Sequence, residues 1–332
     1  MKTRVLLALL LALMVGYSLP AQANTCVASA SALAFGSVSP IANTTTSSSG
    51  ALTITCTWST ITLTPNVLVC ASLGTGDGST SAAPRAMVNG SNVLSYNLFA
   101  NSSYSTIWGS TTNSSAPTPL SITLSSTAIL IGGSSVTTTI PFYGRISAGQ
   151  TTVPTVNNST TLYTSNFSGA YTRLDYRFYL LVAPSCASLS ASGATFPFTA
   201  TASVINNCNI TATPLTFPSS PLINTSLSAT GTISVQCTNS DAYKISLDGG
   251  TTNATVANRQ MLGAANAGKV RYQLYADSAH STVWGDGTNS TSQVTGTGSG
   301  AVQPLTVYGL VPNQTAPIPD TYTDTVKATI YF

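Results

Sequence analysis

TFPFTATASVINNC, residues 195–208, alternates with a period of two. Phe196, Phe198, Ala200, Ala202 and Val204 fall on one face, and Thr195, Pro197, Thr199, Thr201 and Ser203 on the other. Such alternation predicts a strand that buries one side. Which body buries it decides the architecture, because the segment lies mid-chain and ends at a cysteine.

The N-terminus predicts an export leader over 1–23: Lys2 and Arg4, an apolar run from Val5 to Val15, and Ala21-Gln22-Ala23 as a small-residue cleavage site. The run is too short to span a bilayer. Lys2 and Arg4 leave with the leader, so the mature chain is nearly neutral. No basic field remains to hold nucleic acid, which excludes that class of partner. Only 6% of residues are charged, while Ser, Thr, Asn and Gly abound. Helical periodicity is absent after the leader, and short alternating segments separated by Gly, Pro and Asn recur. This predicts an all-β chain of sandwich type.

The order of landmarks occurs twice. Cys26, Leu33-Ala34-Phe35, Gly50 and Cys56 match Cys208, Leu215-Thr216-Phe217, Gly231 and Cys237. Arg85-Ala86-Met87 matches Arg259-Gln260-Met261, and SYNLFANSSYSTIWG (95–109) matches RYQLYADSAHSTVWG (271–285). IPFYG (140–144) matches QPLTVYG (303–309), and GAYT (169–172) is expected to match DTYT (320–323). Two homologous sandwiches follow, and the repeat suggests the pairs Cys26–Cys56 and Cys208–Cys237, leaving Cys70–Cys186. Six cysteines in an exported chain read as disulfides, although their number admits other connectivities.

These landmarks resemble the spore coat protein U domain, the pilin module of archaic chaperone–usher pili. The specific parts are the paired cysteines, Arg259-x-Met261, Tyr272, Trp284-Gly285-Asp286-Gly287 and Tyr322-Thr323-Asp324-Thr325-Val326. The first half departs from the pattern: Ser110 stands for Asp286, and Arg173-Leu174 are expected to stand for Asp324-Thr325. The resemblance implies tandem immunoglobulin-like sandwiches, each lacking a last strand that a neighbouring subunit donates.

Strand counting gives domains at 24–207 and 208–332. Residues 195–206 are expected to fold back into the first sandwich as its missing strand, through Phe196, Phe198, Ala200, Ala202 and Val204. The competing reading makes 195–206 an opening extension of the second domain. In the second domain Val326, Ala328, Ile330 and Phe332 share one face and are expected to border an unfilled strand position that accepts a pilin or chaperone strand. Only Asn24 and Thr25 stand between the leader and Cys26, too few for a donor strand at ~3.3 Å per residue. The expectation is a subunit that accepts a strand and gives none, which the resemblance places at a pilus tip as a two-domain adhesin. Its expected partners are a periplasmic chaperone, an outer-membrane usher, an adjacent pilin, and a host or abiotic surface. It is expected to be exported through the periplasm to the cell surface.

Three connections are longer in the first half: Cys56–Arg85, Trp108–Gly144 and Gly144–Tyr171. Long loops on a rigid sandwich are where binding is usually built. Val67, Leu68, Ile129, Leu130, Ile131, Val153 and Val156 are therefore candidates for an exposed apolar patch, with added core strands as the other reading. No enzyme, metal or cofactor is expected. His280 is the single histidine, the acids beside Gly or Pro read as turn formers, and the Gly-rich stretches lack a phosphate-binding lysine. Trp108, Trp284, Tyr96 and Tyr272 recur at equivalent places and read as core. A secreted coat or carbohydrate-binding protein with self-sufficient sandwiches is the alternative function.

Overall fold

A computed structural model describes residues 23–332 except 128, 129, 132, 191, 253 and 316. The leader and Ile129 thus lie outside the described residues, and only the backbone of Ile61, Leu130 and Ile131 is described. The protein is two tandem immunoglobulin-like β-sandwiches with separate apolar cores, one built from residues between Cys26 and Val204 and the other from Ile233 to Val311.

The larger sheet of the first sandwich runs, in spatial order, Thr25–Ala30, Thr46–Trp58, Ser134–Ile146, Asn92–Phe99, Arg85–Asn89, Thr161–Phe167, Phe198–Val204 and Leu33–Val38. Facing it are Thr172–Tyr179, Asn66–Leu73 and Leu120–Ser125. The second sandwich repeats this plan with Cys208–Ala212, Leu227–Cys237, Gln303–Val311, Lys269–Tyr275, Arg259–Gly263 and Tyr322–Thr323, opposed by Val294–Thr297, Ala242–Leu247 and Ala328–Tyr331. The alternating strands bury every second residue, as in the buried–intermediate rhythm of Leu52, Ile54, Cys56 and Trp58.

Three disulfides join Cys26 to Cys56, Cys70 to Cys186 and Cys208 to Cys237. The first and third link directly opposed residues of neighbouring antiparallel strands. The second ties the central strand Asn66–Leu73 to a loop beyond Tyr179.

The register corrects one equivalence. Thr164 pairs with Val88, and Thr323 pairs with Leu262. Val88 and Leu262 stand equally far from Arg85 and Arg259, so the counterpart of Tyr322-Thr323 is Tyr163-Thr164 and not Tyr171-Thr172. Ser165, rather than Arg173, therefore occupies the place of Asp324. Gly-Ala-Tyr at 169–171 is a single 3-10 turn that carries the chain across to the smaller sheet. The first half carries two Tyr-Thr pairs, Tyr163-Thr164 and Tyr171-Thr172, which local sequence does not distinguish.

Candidate functional site

Each core is held by a buried arginine. In the first sandwich Arg85 donates from Nε to the Gly74 carbonyl at 2.9 Å, from Nη1 to Asn97 Oδ1 at 2.8 Å, and from Nη2 to the Trp108 carbonyl at 2.7 Å. Burial pulls its pKa down to about 10. Arg259 does the same work with Asp248, Leu247, Trp284 and Gln273, and burial lowers its pKa as well. Trp108 and Trp284 are buried and donate Nε1–H to Ala71 and Ile245 carbonyls at 2.8 and 3.0 Å. The Arg-x-Met and Trp-Gly landmarks are thus two ends of one structural tie. His280 and Tyr104 share a left-handed turn position, with φ of 54° and 56°.

The strand Phe198–Val204 lies between Thr161–Phe167, to which it is antiparallel, and Leu33–Val38, to which it is parallel. Phe196, Phe198, Ala200, Ala202 and Val204 are all buried. Phe198 stacks on Phe167 at 4.7 Å and on Trp108 at 6.1 Å, and Phe142 tilts against it at 5.4 Å. Each large side chain buried in this way contributes about 1.5–3 kcal/mol.

The same position in the second sandwich holds no strand among the described residues. Tyr322–Thr323 ends its sheet, and Leu215 and Phe217, counterparts of Leu33 and Phe35, lie outside any strand. Burial registers the difference residue by residue. Leu33, Phe35, Met87, Tyr163 and Phe167 are buried, whereas Leu215, Phe217, Met261, Tyr322 and Val326 are only half-buried. Asp324 faces this slot and is held by Thr251 N and Oγ1 at 2.8 and 2.9 Å, Thr325 N at 2.8 Å and Tyr272 Oη at 2.7 Å. Of the four residues assigned to this border from the sequence, Val326 lies beside Asp324 at the slot. Ala328 and Ile330 pair with Leu247 and Ile245 on the opposite sheet, and Phe332 is exposed. The chain changes sheets between Thr323 and Ala328, which alternation alone does not reveal.

A second feature lies at one end of the first sandwich. Trp58 pairs with Ser134, and Asn66 pairs with both Ser125 and Tyr179, so the loops after these strands emerge together. Thr62 and Ile61 pair with Leu130 and Ile131, and Asn66 Nδ2 donates to the Leu180 carbonyl at 3.2 Å. Here Leu63 is 69% exposed, Leu181 85% and Val182 84%. Leu180, Leu181 and Val182 were missed because they continue the apolar run of the preceding strand; the Pro184 that follows is the signal that the strand has ended.

Two candidates for that patch, Val67 and Val153, are corrected, and Leu68 is partly covered. Val67 is fully buried in the core, because the central strand begins at Asn66 and turns it inward. Leu68, on the other face of that strand, is half-buried between Arg177 and Thr123. Val153 is buried, and the loop carrying it and the partly exposed Val156 meets the second sandwich instead of forming a free tip. Asn239 Nδ2 donates to the Thr152 carbonyl at 2.8 Å, Asn158 Nδ2 to the Ala242 carbonyl at 2.8 Å, and Thr155 Oγ1 to buried Asp241.

The Spore Coat Protein U domain model matches this chain twice, over residues 12–164 and 194–329. The chain belongs to the Spore Coat Protein U domain family. Its second match opens at 194, so the segment that fills the first sandwich counts, by family, as the leading part of the second module. Protein U of Myxococcus xanthus is 37% identical over 111 residues, which are 32% of this chain and 61% of that protein. Among solved structures, the chaperone–tip adhesion subunit pre-assembly complex CsuC–CsuE of Acinetobacter baumannii archaic chaperone–usher Csu pili is 17% identical. The alignment covers 93% of this chain and 100% of that one, with a TM-score of 0.49. CfaE, the adhesive subunit of CFA/I fimbria of enterotoxigenic Escherichia coli, gives 8% identity and a TM-score of 0.33, covering 79% and 81%.

Proposed function

We propose that this protein is the tip adhesin of a chaperone–usher pilus, joined to the next pilin through its second sandwich and touching surfaces with the far end of its first. One observation carries the reading: equivalent residues are sealed in the first sandwich by a strand from the chain and stand half-open in the second. A half-exposed apolar slot with an unpaired edge favours β-augmentation by another polypeptide. Within the chain, the leading segment of one module completes the module before it. The same step between chains extends a polymer.

A periplasmic chaperone occupies the slot first in this scheme, and an adjacent pilin replaces it at an outer-membrane usher. The apolar loops around Leu63 and Leu180–Val182 then face outward from the tip, toward a host or abiotic surface. Export through the periplasm follows from the leader. The test is expression of the mature chain with and without a pilus chaperone. We expect soluble 1:1 complex with it and aggregated or degraded protein without it. A stable, monodisperse monomer without any strand donor favours the alternative, a secreted coat or carbohydrate-binding protein.

A further inference from the structure

We infer that the strand completing the second sandwich carries a bulky aromatic residue at the inward position equivalent to Phe198 and glycine or alanine at the next. The inference rests on the strand-acceptor reading above and specifies the partner's side chains. The filled slot of the first sandwich is the template, and three substitutions between the halves change its shape.

Phe198 of the internal strand sits among Trp108, Phe142 and Phe167. Phe142 pairs with Gly50 as Val307 pairs with Gly231, so Val307 takes the place of Phe142. Phe167 and Val326 stand equally far from Thr164 and Thr323, so Val326 takes the place of Phe167. Two phenyl rings become valines while the buried Trp284 remains. The partner must fill that space itself, because interiors pack to near-crystalline density and voids cost stability.

The next inward position narrows instead. Ala200 pairs with Ser165, and both are buried. Asp324 stands in place of Ser165, and its carboxylate is pinned from Thr251, Thr325 and Tyr272, so it cannot swing away. A carboxylate is larger than the hydroxymethyl group opposite Ala200, so the partner residue at this position is no larger than alanine. Ala202 opposes Tyr163, and Tyr322 repeats that ring, so the inward residue after it is small too. The partner is therefore an extended, uncharged segment running antiparallel to residues 322–326. Its chemistry is that of the leading segment of another module of this kind.

The experiment extends the full mature chain after Phe332 with a flexible linker and a copy of residues 195–206. Thermal unfolding and amide exchange at 322–326 are then measured. We expect the copied strand to raise melting of the second sandwich by about 10 °C and to protect those amides. Phe198→Trp or Ala200→Gly in the copy keeps the rise, whereas Ala200→Leu or Phe198→Ala loses most of it. If Ala200→Leu in the copy melts as high as its parent, the size pattern is wrong and the acceptor reading stands. If the parent copy neither raises melting nor protects the amides, the acceptor reading itself falls, and this inference with it.

Discussion

Arg85 shows what a single residue does here. Its planar fork reaches two backbone carbonyls and Asn97 at once, and an ammonium on a flexible stem cannot match three such directions. Arg85→Lys is expected to lower stability by about 2–4 kcal/mol, read as a fall in urea midpoint at unchanged slope, because buried acceptors lose their donors. An unchanged midpoint would mean that water replaces the guanidinium without cost. The arginine was visible in the sequence as half of a repeated motif, but its partners were not. The Gly74 and Trp108 carbonyls are backbone groups, and no side-chain pattern advertises a carbonyl.

At the scale of elements, the strand Phe198–Val204 and the loop 151–158 matter most. Phe198→Ala removes a ring stacked at 4.7 Å on Phe167 and should cost about 3–5 kcal/mol in the first sandwich. Calorimetry that separates two transitions checks it: only the first-sandwich transition should fall. Loop 151–158 carries the junction, where burial pushes the Asp241 carboxyl above its ordinary range, partly countered by the Thr155 hydrogen bond. A raised acid binds its proton more readily folded than unfolded. Its contribution therefore grows as pH falls through the raised value toward about 3.9 and is lost as pH rises. Asp241→Asn should flatten melting temperature between neutral and mildly acid pH; a profile identical to the parent would place the titration elsewhere.

For the whole molecule, the two ends differ in kind. Thr46–Trp58 spans the first sandwich over roughly 40 Å at ~3.3 Å per residue, with the junction loops near one end and the apolar loops at the other. Leu181→Ser with Val182→Ser should leave folding within about 0.5 kcal/mol of the parent, since both side chains are exposed. Attachment of piliated cells to a hydrophobic surface should fall sharply. Equal attachment would move the adhesive patch off this loop. The disulfide Cys70–Cys186 anchors the far side of the same loop to the central strand, so its removal should weaken attachment beyond its effect on melting temperature.

By itself the sequence determined the class of fold and the duplication, because period-two alternation, paired cysteines and repeated landmarks are local and survive without coordinates. It also picked out the segment 195–206, whose alternation has no place to go but a sheet. Tertiary structure alone decided which residues face which void. The chain after Tyr322–Thr323 crosses from one sheet to the other, and the duplicate Tyr-Thr pair conceals where that crossing lies. Val67 and Val153 read as loop residues by their neighbours, yet one lies in a central strand and the other packs from the junction loop into the first core. Exposure depends on what the rest of the chain covers, a relation between distant segments that no short window contains.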